Sequence, residues 1–309
     1  MTALLDVASH LPEQNVPIAD IGADVGAEAS LMWTFRRFYG LRTVLRAPGR
    51  DLRATLTAAV ESLTELRGNE HRVRYVIHPR TVSTVTPAGE NTVEELCAEL
   101  GLTRATAFTL TQHGCATGLF AVDLAGRLLT ADGDPDALAL VLAGEKAFSR
   151  TLQIIPESTV MGEGTAACLV SADGDSDRML GFATRTHGRY SEEFPPYPLD
   201  PRFLKEHNAT LAAVMRDAAE DAGVGLDDLA LVLPHNVNRL SWQWTCKILG
   251  IPLDRVFLDN IPVTGHCFTA DPFINYTHAR EAGLLRPGDL YLMAAVGLGA
   301  TFSAAVLRH

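Results

Sequence analysis

The chain has 309 residues, 47% of them hydrophobic and 20% charged, enough to bury a large core in one large or two smaller domains. A formal charge of −11 argues against nucleic acid as a partner, because such binding rests on neutralising phosphates. No run of about 18 apolar residues is free of charge, so no membrane span is expected.

The opening stretch, MTALLDVASHLPEQ, has neither a basic segment nor a long apolar run, which speaks against secretion. Cys97, Cys115, Cys168, Cys246 and Cys267 are odd in number and scattered. They read as reduced thiols of a cytoplasmic protein, not as a disulfide framework. Next comes an arginine-rich segment, MWTFRRFYGLRTVLRAPGRDLR, with Arg36, Arg37, Arg42, Arg46, Arg50 and Arg53. On an acidic chain it is either a solvated face or a landing site for phosphates or an acidic carrier.

From residue 72 onward the order of elements repeats. The first series is a strand (RVRYVIHPR), an amphipathic helix (TVEELCAELGL), a strand (ATAFTLTQHGC), an apolar helix after Cys115, and strands ALALVLAGE and GTAACLVSADG. The second is a strand (LALVLPHNVN), a helix (SWQWTCKILGI), a strand (RVFLDNIPVTGH), a helix (PFINYTHAREAGLL), and strands DLYLMAAVG and TFSAAVLRH. Two fused copies of one α/β unit follow, divided as 1–170 and 171–309. The segments SADGDSDR and the proline-dense RYSEEFPPYPLDP read as loop and linker. The helix after Cys115 is apolar around most of its circumference, with Asp123 and Arg127 spaced to pair. It therefore belongs between two sheets, in a layered αβαβα arrangement.

Cys115 stands where a strand hands over to a helix, a position that favours thiolate. Cys97, Cys168 and Cys246 read as small buried hydrophobes. His266, in VTGHCFTAD, occupies the matching turn of the second copy, and His235, in LVLPHNVNR, follows another strand there. Equivalent strand ends of a repeated fold face one crevice, so a thiolate and two imidazoles converge, the equipment for covalent acyl transfer. Each partner also has a plainer role. His235 reads equally as a satisfied buried histidine, and Asp271, ahead of Pro272, as a helix cap. His113 reads as a structural residue or a pocket wall. No metal is expected, because no cluster pairs with His266 and Cys267 at ligand spacing. VGLGATF lacks the strand–helix context of a nucleotide loop.

These segments together resemble a ketoacyl synthase III-type enzyme of the thiolase superfamily over essentially the whole chain. HGCATGLFAVDLA is similar to the family's nucleophile segment and MGEGTAACLV to its glycine-acid-glycine turn. PHNVNR is similar to its His-Gln-Ala-Asn stretch, with Asn236 in place of glutamine and Asn238 retained. GDLYLMAAVGLGATFSAAVL resembles its C-terminal strand pair. The resemblance implies a thiolase-like five-layered fold, a homodimer, and a Cys115 that takes an acyl group from acyl-CoA or an acyl carrier protein. No permanently bound cofactor is implied. By position it also implies an oxyanion hole from the backbone of Cys115 and of Gly297 or Gly299. Trp33 and Arg37 then fall where the family stacks adenine and contacts phosphates, with one extra residue before Gly40.

One departure changes the expected chemistry. Condensing members carry Asn where this chain has His266, and Asp271 follows five residues later. GHxxxxD resembles the branch of antibiotic pathways that holds starter-unit enzymes and acyltransferases of glycosylated polyketides. Transfer to a hydroxyl or amine needs a base, and an imidazole oriented by a carboxylate is a better one than an amide. The expectation is therefore an acyltransferase with Cys115 as nucleophile, His266 as base, Asp271 as its orienter and His235 as a donor to the carbonyl. The alternatives are decarboxylative condensation with a malonyl thioester, and an inactive partner subunit.

Overall fold

The computed structural model describes residues 2–82, 91–190 and 199–309; most of the proline-dense linker, residues 191–198, lies outside them. The strands of the main sheet are β1 (Ala3–His10), β2 (Val73–Pro79), β3 (Thr106–Leu110), β4 (Leu138–Ala143), β5 (Thr165–Ser171), β6 (Arg178–Thr186), β7 (Leu229–Pro234), β8 (Leu290–Gly297) and β9 (Thr301–Arg308). They join in the order β7-β8-β9-β6-β1-β5-β4-β2-β3.

This order is one motif written twice. In the first half β2 pairs in parallel with β3 and β4, after which β4–β5 and β5–β1 are antiparallel. In the second, β7–β8 is parallel, and β8–β9 and β9–β6 are antiparallel. The counterpart of β3 is reduced to a single parallel bridge, Val232 to Val256. The strand expected over 255–266 is thus corrected to two isolated bridges, Val232 to Val256 and Met161 to His266, with a one-turn helix, Ile261–Thr264, between them. Pro262 has no N–H to give a ladder, and the Asn260 side chain donates to Asn275 Oδ1 at 2.7 Å, tying the segment to the core instead. The halves meet where β1 pairs β6 at Ala3 and Arg178.

Alternation along each strand builds the layers. In β4, Leu138, Leu140 and Leu142 pack with α1 (Leu52–Glu61) and α2 (Thr92–Glu99). Ala139, Val141 and Ala143 face the other way, onto α3 (Thr117–Asp132) and α6 (Asp271–Glu281). In β8, Tyr291, Met293 and Ala295 join that same central cluster. Its Leu292, Ala294 and Val296 pack under α4 (Pro201–Asp221) and α5 (Arg239–Leu249). Two central helices therefore lie between two sheet halves with helices outside, as the apolar circumference of α3 predicts. Each leucine so buried contributes about 1.5–3 kcal/mol. The expected Asp123–Arg127 pair forms on α3 at 2.7 Å.

The two central helices begin side by side. Each is preceded by a 3₁₀ turn, Gly114–Ala116 before α3 and Phe268–Ala270 before α6. Gly118 permits the approach, since a Cβ there would sit 2.6 Å from the Thr269 carbonyl oxygen. This juxtaposition brings a residue of the first half to a residue of the second.

Candidate active site

Beyond β3 the chain bends sharply, with Gln112 at φ 82° and Gly114 at φ 53°, and delivers Cys115 to the start of α3. His266 Nε2 lies 3.0 Å from Cys115 Sγ. On the other side of the ring, Nδ1 lies 2.5 Å from Asp271 Oδ2. All three side chains are buried. The Asp271 carboxylate also accepts from the backbone amides of Asn236 at 2.5 Å and Cys267 at 2.7 Å. Its position is therefore fixed before the imidazole is considered. An acceptor held opposite Nδ1 keeps a proton on that nitrogen and turns Nε2 toward the sulfur.

Burial alone would lower the basicity of His266. The sulfur anion and the Asp271 carboxylate outweigh it and hold the ring up at about 10. Asp271 is the first residue of α6, whose N-cap is Ala270. The capping role considered for Asp271 is not what its carboxylate does.

His235 ends β7, and its ring centroid is 6.2 Å from that of His266. Burial, and then the neighbouring His266 and His207, push His235 well below its usual value, so the ring is neutral. Neither ring nitrogen has a hydrogen-bond partner among the described residues, although the ring is buried. A buried neutral imidazole left unsatisfied in the wall of the cavity that Cys115 also lines has a donor free for a bound group. The plainer reading of His235 as a satisfied core histidine is corrected accordingly.

Gly297 presses its backbone onto the nucleophile turn. A Cβ there would sit 1.9 Å from the His113 oxygen and 2.8 Å from the Cys115 nitrogen. At Gly299, φ 119°, a Cβ would meet open space. Gly297→Ala is expected to displace the Cys115 amide and to cost roughly 3 kcal/mol of stability, because both neighbours are backbone. Thermal unfolding and the rate of Cys115 alkylation check this together. Of the other candidates, Asn238 is the N-cap of α5, accepting from Ser241 N at 2.7 Å, and its amide donates to the Ser158 carbonyl at 3.0 Å. His113 packs edge-on against Phe120, centroids 4.6 Å apart, and does not line the cavity at Cys115.

That cavity measures about 370 Å³. Leu152, Ile155, Met161, Phe203, Phe268 and Val296 form an apolar wall; Cys115, His235, His266, His207, Asn238 and Ser241 form a polar one. Outside it, Trp33, Arg36 and Arg37 line a separate depression. The two are connected through a single element, the π-helical turn Phe35–Tyr39, since Tyr39 lines the inner cavity. A π turn takes one residue more than an α turn, which absorbs the extra residue before Gly40. The arginine-rich segment does not act as one patch. Arg46 donates to the Met161 carbonyl at 2.6 Å, and Arg53 pairs with Glu99 at 3.2 Å.

Three contributors escaped the sequence reading. Thr81 Oγ1 donates to Cys115 Sγ at 3.3 Å. Asn275 Nδ2 donates to the Pro234 carbonyl and to Asn236 Oδ1, tying the end of β7 to α6. His207 joins the cavity wall, its ring 6.5 Å from that of His235. Thr81 and Cys115 both lie just past the ends of the neighbouring parallel strands β2 and β3.

Residues 219–309 match the family model described as 3-oxoacyl-[acyl-carrier-protein (ACP)] synthase III C terminal. The chain is 30% identical over 325 residues to the β-ketoacyl-[acyl-carrier-protein] synthase III of Sphingopyxis alaskensis, covering 99% of this chain and 98% of that protein. It superposes on the 3-oxoacyl-[acyl-carrier-protein] synthase III of Aquifex aeolicus with a TM-score of 0.83, 22% identity and full coverage of both chains. ChlB3, an acyltransferase, matches at a TM-score of 0.85 and 19% identity, over 99% of this chain and 97% of its own. At such identities the structural likenesses show a shared thiolase-like fold.

Proposed function

The chain belongs to the β-ketoacyl-[acyl-carrier-protein] synthase III family of thiolase-fold enzymes, and from that premise we propose an acyltransferase. It moves an acyl group from a CoA or carrier-protein thioester, through Cys115, to a hydroxyl or amine of a second substrate. The observation that carries this reading is His266 held between the Cys115 sulfur and a buried carboxylate, Asp271. A neutral amide at position 266, as the resemblance gives for condensing members, has no basic nitrogen to offer an incoming X–H group.

The steps balance with these residues alone. The Cys115 thiolate attacks the thioester carbonyl, whose oxygen is met by the His235 ring and the Cys115 amide beside Gly297. The carbon–sulfur bond to the donor breaks, and the His266 imidazolium gives its proton to the departing thiolate. The acceptor's oxygen or nitrogen then attacks the acyl carbon while His266 Nε2 takes its proton. The bond to Sγ breaks, and the thiolate–imidazolium pair is restored. Asp271 holds the charge of His266 in both half-reactions without itself taking a proton.

Trp33 and Arg37 hold the donor's nucleotide end in the outer depression, and the chain, built of the halves 1–170 and 171–309, works as a homodimer. The GHxxxxD pattern points to specialised polyketide or antibiotic metabolism. Trp33→Ala and Arg37→Ala are expected to raise KM for an acyl-CoA roughly tenfold or more. Turnover of the truncated N-acetylcysteamine thioester should stay unchanged, because the contact is remote from the reacting carbon. Steady-state kinetics with both donors check it.

The second reading, decarboxylative condensation with a malonyl thioester, is favoured by the unpartnered His235 and by the names of the sequence relatives. The test is incubation with acyl-CoA and malonyl-CoA donors plus alcohols and amines, with products and carbon dioxide quantified. Esters or amides without carbon dioxide support transfer. A β-keto product with stoichiometric carbon dioxide overturns it in favour of condensation.

A further inference from the structure

The thiol of Cys115 has a second donor besides His266, and the machinery behind that donor carries no part of the mechanism above. Strands β2 and β4 run in parallel register, Ile77 against Val141, so the chain emerges from both on the same side. Thr81 and Glu145 lie just past those two strand ends. Glu145 is 1% exposed, and its carboxylate accepts from the Thr81 amide and, at 3.3 Å, from the Val82 amide. The Thr81 hydroxyl, fixed by that anchoring, donates to Cys115 Sγ at 3.3 Å. Thr269 braces the same corner from the second half: its hydroxyl donates to the Pro79 carbonyl at 3.3 Å and accepts from the Gly144 amide at 3.0 Å.

A buried carboxylate is costly unless its oxygens are satisfied, so its retention at a strand end calls for a purpose. Burial lifts Glu145 to about 7 against the pull of the Thr81 and Val82 amides, of the Thr81 hydroxyl, which lies between this carboxylate and the sulfur, and of Arg80. An apolar residue would fill the volume without that cost, but it would leave the 81–82 amides without an acceptor and Thr81 free to turn from the sulfur.

We propose that Glu145 is a positioning residue for the nucleophile: it fixes the 81–82 turn so that the Thr81 hydroxyl stabilises the Cys115 thiolate alongside His266. The effect is exerted on the sulfur and is therefore independent of which acyl reaction follows.

Iodoacetamide alkylation of the Cys115 peptide, followed by mass spectrometry across pH on the full chain, reads the sulfur directly. Thr81→Val should move the alkylation profile up by about one pH unit, a rate loss of about tenfold near neutrality, while Thr81→Ser keeps the wild-type profile. Glu145→Gln should reproduce the Thr81→Val shift. Glu145→Asp, with a shorter arm, serves as the second variant and should do the same. The double variant Thr81→Val/Glu145→Gln should be no slower than either single one, because both act through one hydrogen bond. Circular dichroism confirms that the variants compared are folded. A folded Glu145 variant with the wild-type profile, or effects of Thr81→Val and Glu145→Gln that multiply, overturns the proposal. An unchanged profile for Thr81→Val does so as well.

Discussion

Cys115→Ala should remove acyl transfer from every thioester donor, by about 10⁴ or more, and leave the fold intact. No other thiol in the chain substitutes for it. Burial pushes Cys97 and Cys246 up to about 11 and raises Cys168 and Cys267 as well. None of these four lines the cavity. Cys267, next in sequence to His266, accepts from the Gly164 amide at 3.3 Å and is directed away from the donor path. The truncation removes one sulfur from a site already open to the cavity, so the stability change should stay within about 1 kcal/mol. Turnover by rapid quench and thermal unfolding on the same sample measure both halves of this expectation. Residual transfer within tenfold of wild type would show that a different group carries the acyl chain.

Asp271→Asn is expected to slow discharge of the acyl-enzyme by about 10³, and loading by less. The reason lies in the number of acceptors. The carboxylate receives His266 Nδ1 and the Asn236 amide on Oδ2, and the Cys267 amide on Oδ1. An asparagine offers one carbonyl oxygen, and its NH₂ must face one of these donors. If it turns toward the ring it donates to Nδ1, the proton moves to Nε2, and His266 can no longer accept from the acceptor substrate. Loading needs a donor at Nε2, which that tautomer still supplies. The pH dependence has a definite sign. A neighbouring anion stabilises imidazolium, so removing it lowers the His266 value from about 10. The alkaline fall of the loading rate, where the ring loses the positive charge that holds Cys115 as thiolate, therefore moves to lower pH in the variant. Single-turnover loading and discharge followed separately across pH test this. Equal slowing of both steps with an unmoved alkaline limb would refute the assigned role.

How much of this was legible in the sequence differs by element. The strands ALALVLAGE and DLYLMAAVG are buried on both faces and announce themselves as apolar runs, and they proved to be β4 and β8. The middle strands β1 and β6 went unread, because Asp6 in the one and the polar end ATRT in the other break the pattern that β-branched runs provide. The helix Pro201–Asp221 was hidden behind the proline-dense linker and its own charged face. The segment 255–266 has strand-like alternation, yet Asn260 and Pro262 commit it to a different backbone.

At the site, Cys115, His266 and Asp271 were visible because each stands at a turn between elements, where a polar residue in an apolar setting is conspicuous. Thr81 and Glu145 were not. A threonine after a strand and a glutamate before a loop are ordinary solvent-facing residues in sequence. Only the parallel register of β2 and β4 places them together beneath the sulfur.

The central claim is that one sulfur, activated by His266 and Asp271, carries the acyl group. The most direct measurement is the peptide-resolved mass of the protein after one turnover with an acyl-CoA in the absence of any acceptor. The predicted result is one acyl group per chain, on the peptide that contains Cys115, lost when a competent alcohol or amine is added. An unchanged protein mass with every thioester offered, or an acyl group on a peptide without Cys115, would contradict the account.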